Sequence, residues 1–312
     1  MLTRHFARQE PARNCRTKQD NWTHDFPLLL HPVHFTSYSL QTGNRQASCL
    51  MKYELELAGA RPDDAASVMM TLTEEIRLIR TNPDRLLNEM MAARNYVVSF
   101  VNAHAMNLAC KDAGFFYALR SADLLLRDGT GTQILLNALG KDPGLNMNGT
   151  DFIPRVLLAN KHQPIVLLGS TAQTAAAAAA WLEDNGARHV THCDGFQPAE
   201  YYLQMLRAQQ PRIVVLGMGM PRQELLGAML AEQLPGPMLI MNGGAIMDFM
   251  AHRFKRAPRL MRKVGLEWLF RLLLEPSRLW RRYLLGNFIF LGRTGLIMLT
   301  RRASESPSDG PG

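Results

Sequence analysis

The sequence predicts an α/β fold: a mostly parallel sheet with helices on both faces, followed by a basic, amphipathic helical arm. Three observations point there. Wholly apolar runs of strand length recur along the chain and alternate with helical stretches, the pattern of parallel strands buried on both faces. Most of these runs end in glycine beside a small polar residue, as strands do when the chain turns sharply into a helix. Positive charge gathers at one end. Residues 253–302 hold thirteen Lys/Arg against Glu267 and Glu275, a net of +11, so the rest of a chain of net charge +8 sums to −3.

The elements follow in order. Residues 1–70 mix His, Asn, Arg and Pro with short apolar pieces and keep no period, so they read as a poorly ordered or accessory extension. A helical pattern begins near Thr71, and a second runs from Pro83 to Arg94 behind the N-cap candidate Asn82. Tyr96–Val101 reads as a strand, Ala103–Ala113 as a helix, Asp123–Leu126 as a strand and Thr132–Ala138 as a helix. Ile165–Leu168 is a strand closed by Gly169-Ser170, and the alanine-rich run through Trp181-Leu182 is a helix able to pack closely on a sheet. His189–Cys193, Ile213–Leu216 and Met238–Met241 are further strands, ending in Asp194-Gly195, Gly217-Met218-Gly219 and Asn242-Gly243-Gly244. The predicted organisation is a core over 71–252, an appendage over 253–302 and a disordered tail over 303–312.

Composition narrows the class. At 47% apolar and 20% charged, 312 residues can bury a sizeable core. Cys15, Cys49, Cys110 and Cys193 are far apart, which suggests neither a disulfide framework nor a metal site and fits a reducing cytoplasmic setting. No apolar stretch follows the charged first residues, so no secretory leader is expected. No uncharged apolar run reaches about 18 residues, so no membrane-spanning helix is expected; the nearest candidate, Tyr283–Thr300, is interrupted by Arg293.

In a parallel sheet the glycine loops lie along one edge, where ligands bind. Leu126-Arg127-Asp128-Gly129-Thr130-Gly131 is the most informative of them. An Asp at a strand's carboxyl end can act as a general base; it can equally cap the next helix. Gly217-x-Gly219 lacks the third glycine of a dinucleotide fingerprint, and no acidic residue ends the next strand, which disfavours a nicotinamide oxidoreductase. There is no P-loop, no metal-ligand cluster and no Gly-x-Ser-x-Gly elbow, and His104, His189 and His192 read as surface or packing residues. No cofactor or metal is expected. What remains is a nucleotide site of backbone amides and small polar groups. Pro221 presets a helix whose first amides could hold a diphosphate, and Gln223 suits a sugar or base edge; Gln223 and Glu224 could also merely complement the helix N-terminus.

The ordered set Asn102-Ala103, Asp128-Gly129-x-Gly131, Gly149-x-Asp151, Leu168-Gly169, Asp194-Gly195-Phe196, Gly217-x-Gly219-x-Pro221-Arg222-Gln223-Glu224, Gly243-Gly244, Asp248-Phe249, Lys255-Arg256-Ala257-Pro258 and Gly265-Leu266-Glu267-Trp268-Leu269-Phe270-Arg271-Leu272 resembles the WecG/TagA/CpsF glycosyltransferases, over roughly residues 70–293. The resemblance implies a Rossmann-like fold and metal-independent transfer of N-acetylmannosamine, its uronic acid or a related hexose. The implied donor is a UDP-sugar and the implied acceptor a polyprenyl-diphosphate-linked sugar, in cell-surface or exopolysaccharide synthesis. It implies Asp128 as catalytic base. The substrate-binding set it suggests is Asn102, Gly129, Gly131, Asp151, Gly169, Asp194, Gly195, Gly217, Gly219, Gln223, Glu224, Arg256 and Arg259. Arg262, Lys263, Arg271, Arg278, Arg281 and Arg282 would reach the lipid diphosphate and the membrane. Two positions depart from the family pattern: Phe100 stands where many members have Thr, and Asn146 where many have Arg. Both bear on sugar identity more than on reaction class.

The arm interleaves Trp268, Leu269, Leu272, Leu273, Trp280 and Leu284 with Arg and Lys, which suits an anionic membrane surface at the inner face of the plasma membrane. Alternatively its apolar face packs on the body or on a neighbouring subunit, as in a homo-oligomer. A nucleic-acid partner is disfavoured, because the basic residues sit in a Leu/Trp-rich helical arm rather than on an exposed sheet face. A catalytically inactive member serving as an assembly partner in a polysaccharide-synthesis complex is the alternative to the transferase.

Overall fold

The computed structural model describes residues 64–91, 93–254, 256–258, 260–261 and 265–305. The elements run α1 (Ala65–Glu75), β1 (Ile76–Arg77), α2 (Arg85–Met90), β2 (Tyr96–Val101), α3 (Ala103–Ala109), α4 (Ala113–Arg120), β3 (Leu124–Arg127), α5 (Gly129–Ala138), α6 (Gly149–Ala159), β4 (Ile165–Gly169), α7 (Ala172–Asp184), β5 (Val190–Cys193), α8 (Ala199–Gln209), β6 (Ile213–Gly217), α9 (Arg222–Gln233), β7 (Leu239–Asn242) and α10 (Ile246–Met250). The arm then forms α11 (Glu267–Leu274), α12 (Pro276–Trp280), a π-helical turn (Arg281–Leu285) and α13 (Gly286–Glu305).

The seven strands make one sheet in the order β1-β3-β2-β7-β6-β4-β5, and every pairing is parallel. The fold is therefore α/β with an all-parallel sheet. Alternation of side chains divides the core. Val98, Phe100, Leu126, Leu167, Val215 and Met241 point to one face and pack with α2, α6, α7 and α10. Val97, Val166, Leu168, Val214 and Ile240 point to the other and pack with α8 and α9. On that same face Val101 and Leu125 pack with α1, α3, α4 and α13. Each fully buried Val, Leu or Ile contributes about 1.5–3 kcal/mol relative to exposure, and this burial sets which way each strand faces.

Six of the strands lie where the apolar runs place them, within a residue or so; the edge strand β1, two residues at the end of α1, was not read from the sequence. The helix ends differ, because caps decide them. α1 begins at Ala65 rather than Thr71, with Asp64 accepting from the Ser67 amide at 2.8 Å. Residues 65–70 therefore belong to a helix and not to the extension; residues 1–63 lie outside the described residues. The helix read over Ala103–Ala113 is two helices, because Asp112 accepts from the Phe115 amide at 2.9 Å and starts α4. The helix read over Pro83–Arg94 is shorter, Arg85–Met90; Asn82 Oδ1 accepts from the Asp84 amide instead of capping it. Residues 303–305 continue α13, and 306–312 lie outside the described residues.

The run around Tyr283–Thr300 also departs from expectation. Arg281–Ala303 is one continuous helix of 23 residues, long and apolar enough to cross a membrane by length and composition, a measure that core helices of soluble proteins also meet. Arg293 does not break it. Its guanidinium donates to Asn107 Oδ1 at 2.8 Å on α3, on the face where Phe290, Thr294 and Ile297 are buried. The opposite face stays exposed, with Phe288 at 73% and Leu299 at 65%.

Candidate active site

The sheet places the site. β4 hands the chain to β5 through α7 on one face, whereas β6 hands it to β7 through α9 on the other, so the order reverses between β4 and β6. Loops part at such a point and leave a crevice at the strand carboxyl ends. There the backbones of Gly169 and Gly217 pass so closely that a Cβ on Gly169 would lie 2.4 Å from the Gly217 carbonyl, and Gly169 holds a φ of 147°, open to glycine. A cavity of about 460 Å³ opens above them, walled by Ser170, Gly195, Gly217, Met218, Gly219 and Gly243-Gly244 from the sheet and by Phe196, Phe249, Arg271 and Arg282. A second cavity of about 390 Å³ adjoins it, walled by the start of α5, by Asn146 and Asn148, and by Glu267, Trp268, Tyr283, Leu284 and Phe288 of the arm. Asn102, Asp128, Thr150, Arg271, Arg282 and Tyr283 line both.

Asp128 stands at that junction. It occupies the N-cap position of α5 but makes no side-chain cap bond, so its carboxylate is turned to the cavities rather than used on the helix. Asn102 caps α3 with Oδ1, accepting from the Ala105 amide at 3.0 Å, and this fixes its Nδ2 to donate to Asp128 Oδ2 at 3.2 Å. Burial raises the Asp128 pKa, while the Asn102 bond and the guanidiniums of Arg271, Arg282 and Arg127 pull it back. Thr132 Oγ1 donates to the Asp128 carbonyl at 2.8 Å, and the Gly129 amide donates to Asn146 Oδ1 at 2.8 Å.

The remaining sequence candidates fall into groups. Gly129 and Gly131 line the second cavity, and Gly195, Gly217, Gly219 and Gln223 the first. Gly169 lies just behind, with Ser170 at the surface. Asp194 is buried and organises its own turn, accepting from the Phe196 amide at 2.9 Å. Gln223 is 1% exposed; its Oε1 accepts from the amides of Gly219 at 3.1 Å and Gly244 at 2.9 Å. The Gly219 amide, at the start of α9, is thus taken by protein. Glu224 is equally buried and lines neither cavity; Gln223 Nε2 donates to its Oε1 at 2.8 Å, and the charge of Arg282, which faces both cavities, acts on it. Burial pushes its carboxyl up to about 7. Asp151 pairs with Arg256 at 2.5 Å. Arg281 is exposed beside the Trp280 ring at 5.3 Å. Arg259, Arg262, Lys263 and the Arg278 side chain lie outside the described residues. Phe100 is buried against Gly149 and lines the first cavity; Asn146 lines the second.

Glu267 and His104 were missed from sequence, as were Thr150 and Tyr283, which line both cavities. Glu267 lines the second cavity; burial raises its pKa and Arg256 and Arg271 lower it, with the charges of Asp128 and Asp151 opposing. The signal was its place between Gly265 and Trp268. His104 lines the same cavity one residue past Ala103, with its pKa lowered to about 4 by burial and by Arg282, so it stays neutral. Among the described residues no group of three His, Cys, Asp or Glu stands where it could hold a metal ion.

The arm is fastened to this body. Thr130 Oγ1 donates to the Gly265 carbonyl at 2.9 Å, Asn107 Nδ2 to the Gly286 carbonyl at 2.7 Å, and Arg271 stacks 4.9 Å from the centre of the Phe249 ring. The arrangement offers one carboxylate between two compartments and two guanidiniums facing both. That is suited to proton removal in one compartment while anionic charge develops in the other.

Comparison with known proteins bears on this geometry. The model of the glycosyl transferase WecG/TagA/CpsF family matches residues 73–304. An N-acetylglucosaminyldiphosphoundecaprenol N-acetyl-beta-D-mannosaminyltransferase of Staphylococcus aureus strain NCTC 8325 / PS 47 is 23% identical over 231 residues, covering 72% of this chain and 87% of that protein. The protein of the same name from strain MRSA252 is 24% identical over 229 residues, with the same coverage.

Proposed function

The chain belongs to the WecG/TagA/CpsF family and is a glycosyltransferase, and from that premise we propose that it moves a sugar from a UDP-sugar to a polyprenyl-diphosphate-linked acceptor, inverting the anomeric centre without a metal. The observation that carries the reading is that Asp128 walls both cavities while its carboxylate serves no helix cap. The glycine-walled cavity suits the donor, since bare backbone lets a nucleotide diphosphate approach closely. The second cavity suits the acceptor, since its apolar side, with Leu284, Phe288 and Leu291, runs into the exposed face of the arm. The relatives are named for transfer to N-acetylglucosaminyldiphosphoundecaprenol, which supports the same assignment.

The chemistry is one displacement. An acceptor hydroxyl oxygen forms a bond to the anomeric carbon as the bond from that carbon to the diphosphate oxygen breaks. The hydroxyl proton passes to Asp128, and the electron pair leaves with UDP. Arg271 and Arg282 face the growing negative charge and stabilise it. Phe100 and Asn146 sit in the two cavity walls, so the sugar chosen, N-acetylmannosamine, its uronic acid or a related hexose, depends on them. The exposed apolar face and the arm's basic residues hold the enzyme on the inner face of the plasma membrane, where a lipid-linked acceptor lies.

The test is UDP release from a panel of UDP-sugars, with a short-chain polyprenyl-diphosphate-linked N-acetylglucosamine as acceptor and EDTA present. One donor should release UDP in an acceptor-dependent way. Asp128→Asn should cut turnover by about 10²–10⁴-fold and leave UDP binding, read by calorimetry, within a few-fold. Near-normal turnover by that variant would remove Asp128 as the base.

A further inference from the structure

Gln223 and Glu224 are adjacent polar residues at the start of α9, and both are 1% exposed. Their hydrogen bonds form one chain. Two amides from two different loops, Gly219 after β6 and Gly244 after β7, donate to the single oxygen Gln223 Oε1, at 3.1 and 2.9 Å. The other end of that carboxamide, Nε2, donates to Glu224 Oε1 at 2.8 Å. The two ends of a carboxamide are nearly equal in size, so packing alone does not choose between them. Turned over, Gln223 would point its NH2 group at two N–H donors and its oxygen at a carboxylate. The two N–H donors oppose this flip at one end of the carboxamide, and Glu224 opposes it at the other. Glu224 lines neither cavity and its Oε2 has no hydrogen-bond partner among the described residues; its Oε1 accepts from Gln223, and the Arg282 charge also acts on it.

We infer that Glu224 is a positioning residue: by accepting from Gln223 it holds the carboxamide in the orientation that clasps the Gly219 and Gly244 loops together under the first cavity. The donor site then owes its floor to a side chain that never meets the donor. Both loops carry glycines with positive φ, 80° at Gly219 and 58° at Gly244, where the backbone has most freedom to drift and most to gain from a clasp. This role rests on the reading of the first cavity as the donor site only for its effect on UDP; the clasp itself is a property of the loops.

Three variants of the full chain test it, with UDP as the probe. Glu224→Leu keeps the bulk and removes the acceptor, and should weaken UDP binding about tenfold or more, the loss expected when a buried polar group is left without its partner. Glu224→Gln keeps an acceptor oxygen and should stay within about threefold of wild type, since one hydrogen bond is replaced by another of the same kind. The exchange Gln223→Glu with Glu224→Gln reverses the donor between the two residues yet still offers an oxygen to both amides, and should recover most of what Glu224→Leu loses. A merely space-filling Glu224 predicts the opposite order, with leucine tolerated and the exchange harmful, and either result overturns the role. Hydrogen exchange at the Gly219 and Gly244 amides reads the clasp without any ligand. Both should be protected in wild type and in Glu224→Gln and exchange faster in Glu224→Leu; equal protection in all three overturns the inference. Wild type with protected amides but no UDP affinity would fault the donor assignment and leave the clasp standing.

Discussion

Asp128 holds a carboxylate where burial opposes its charge and the guanidiniums around it favour that charge, the balance on which its proposed role as base depends. Burial is the largest influence and raises its pKa; the Asn102 bond and Arg271, Arg282 and Arg127 act the other way. A base must be ionised, so turnover should rise with pH through a pKa above the ordinary carboxylate range. Removing a lowering cation should move that limb further up. Arg271→Ala is therefore expected to shift the acidic limb of the kcat profile to higher pH, measured with saturating donor and acceptor; a limb that stays put would mean Arg271 does not act on Asp128. The sequence left Asp128 open between base and helix cap. Both roles ask for an Asp at a strand-to-helix junction, and the structure shows no cap bond from its side chain, which leaves the carboxylate free for the proposed role. Asn102 was legible as the residue after a strand, but its double duty toward Ala105 and Asp128 was not, since it depends on how α3 and α5 pack.

Among the elements, the buried central strands were readable, whereas the two-residue edge strand β1 and the helix ends were not. A parallel strand buried on both faces must be apolar throughout, so Ile165–Leu168 and Ile213–Leu216 announce themselves. Helix ends turn on single capping side chains such as Asp64 and Asp112, which a periodicity cannot see. The arm shows the same division. Its amphipathic character was plain, but which face meets the body was decided by Phe290, Thr294 and Ile297 going inward with Arg293. The face left over carries Leu285, Phe288, Leu296 and Leu299. Replacing Phe288 and Leu299 by Asp should lower binding to vesicles of anionic lipid on the order of a hundredfold, since each apolar side chain is worth roughly 1.5–3 kcal/mol on burial. Sedimentation with liposomes reads this, and undiminished binding would mean another surface attaches the protein. The interaction should also weaken as salt rises, because part of it is charge.

Across the whole molecule the arm completes a site that the sheet begins. Arg271, Arg282 and Tyr283 reach both cavities from the arm, and Asn107 ties that arm down twice, to the Gly286 carbonyl and to Arg293. Asn107→Leu should lower kcat by up to about thirtyfold, as two hydrogen bonds worth roughly 1 kcal/mol each are lost, with the far-ultraviolet circular dichroism unchanged. A wild-type kcat would show that the arm keeps its place without Asn107. The charge imbalance between arm and body, the α/β class and the glycine loops at strand ends were determined by the sequence itself, because burial pattern, composition and backbone freedom are local properties. The resemblance carried by its motifs named the family from the same residues. Tertiary structure alone decided that two cavities meet at Asp128, that Glu267 and His104 face the second of them, and that Gln223 turns inward to clasp two loops. Those facts are relations between residues more than a hundred positions apart or between the two ends of one side chain, and they are fixed only once the sheet order and the docking of the arm bring them together.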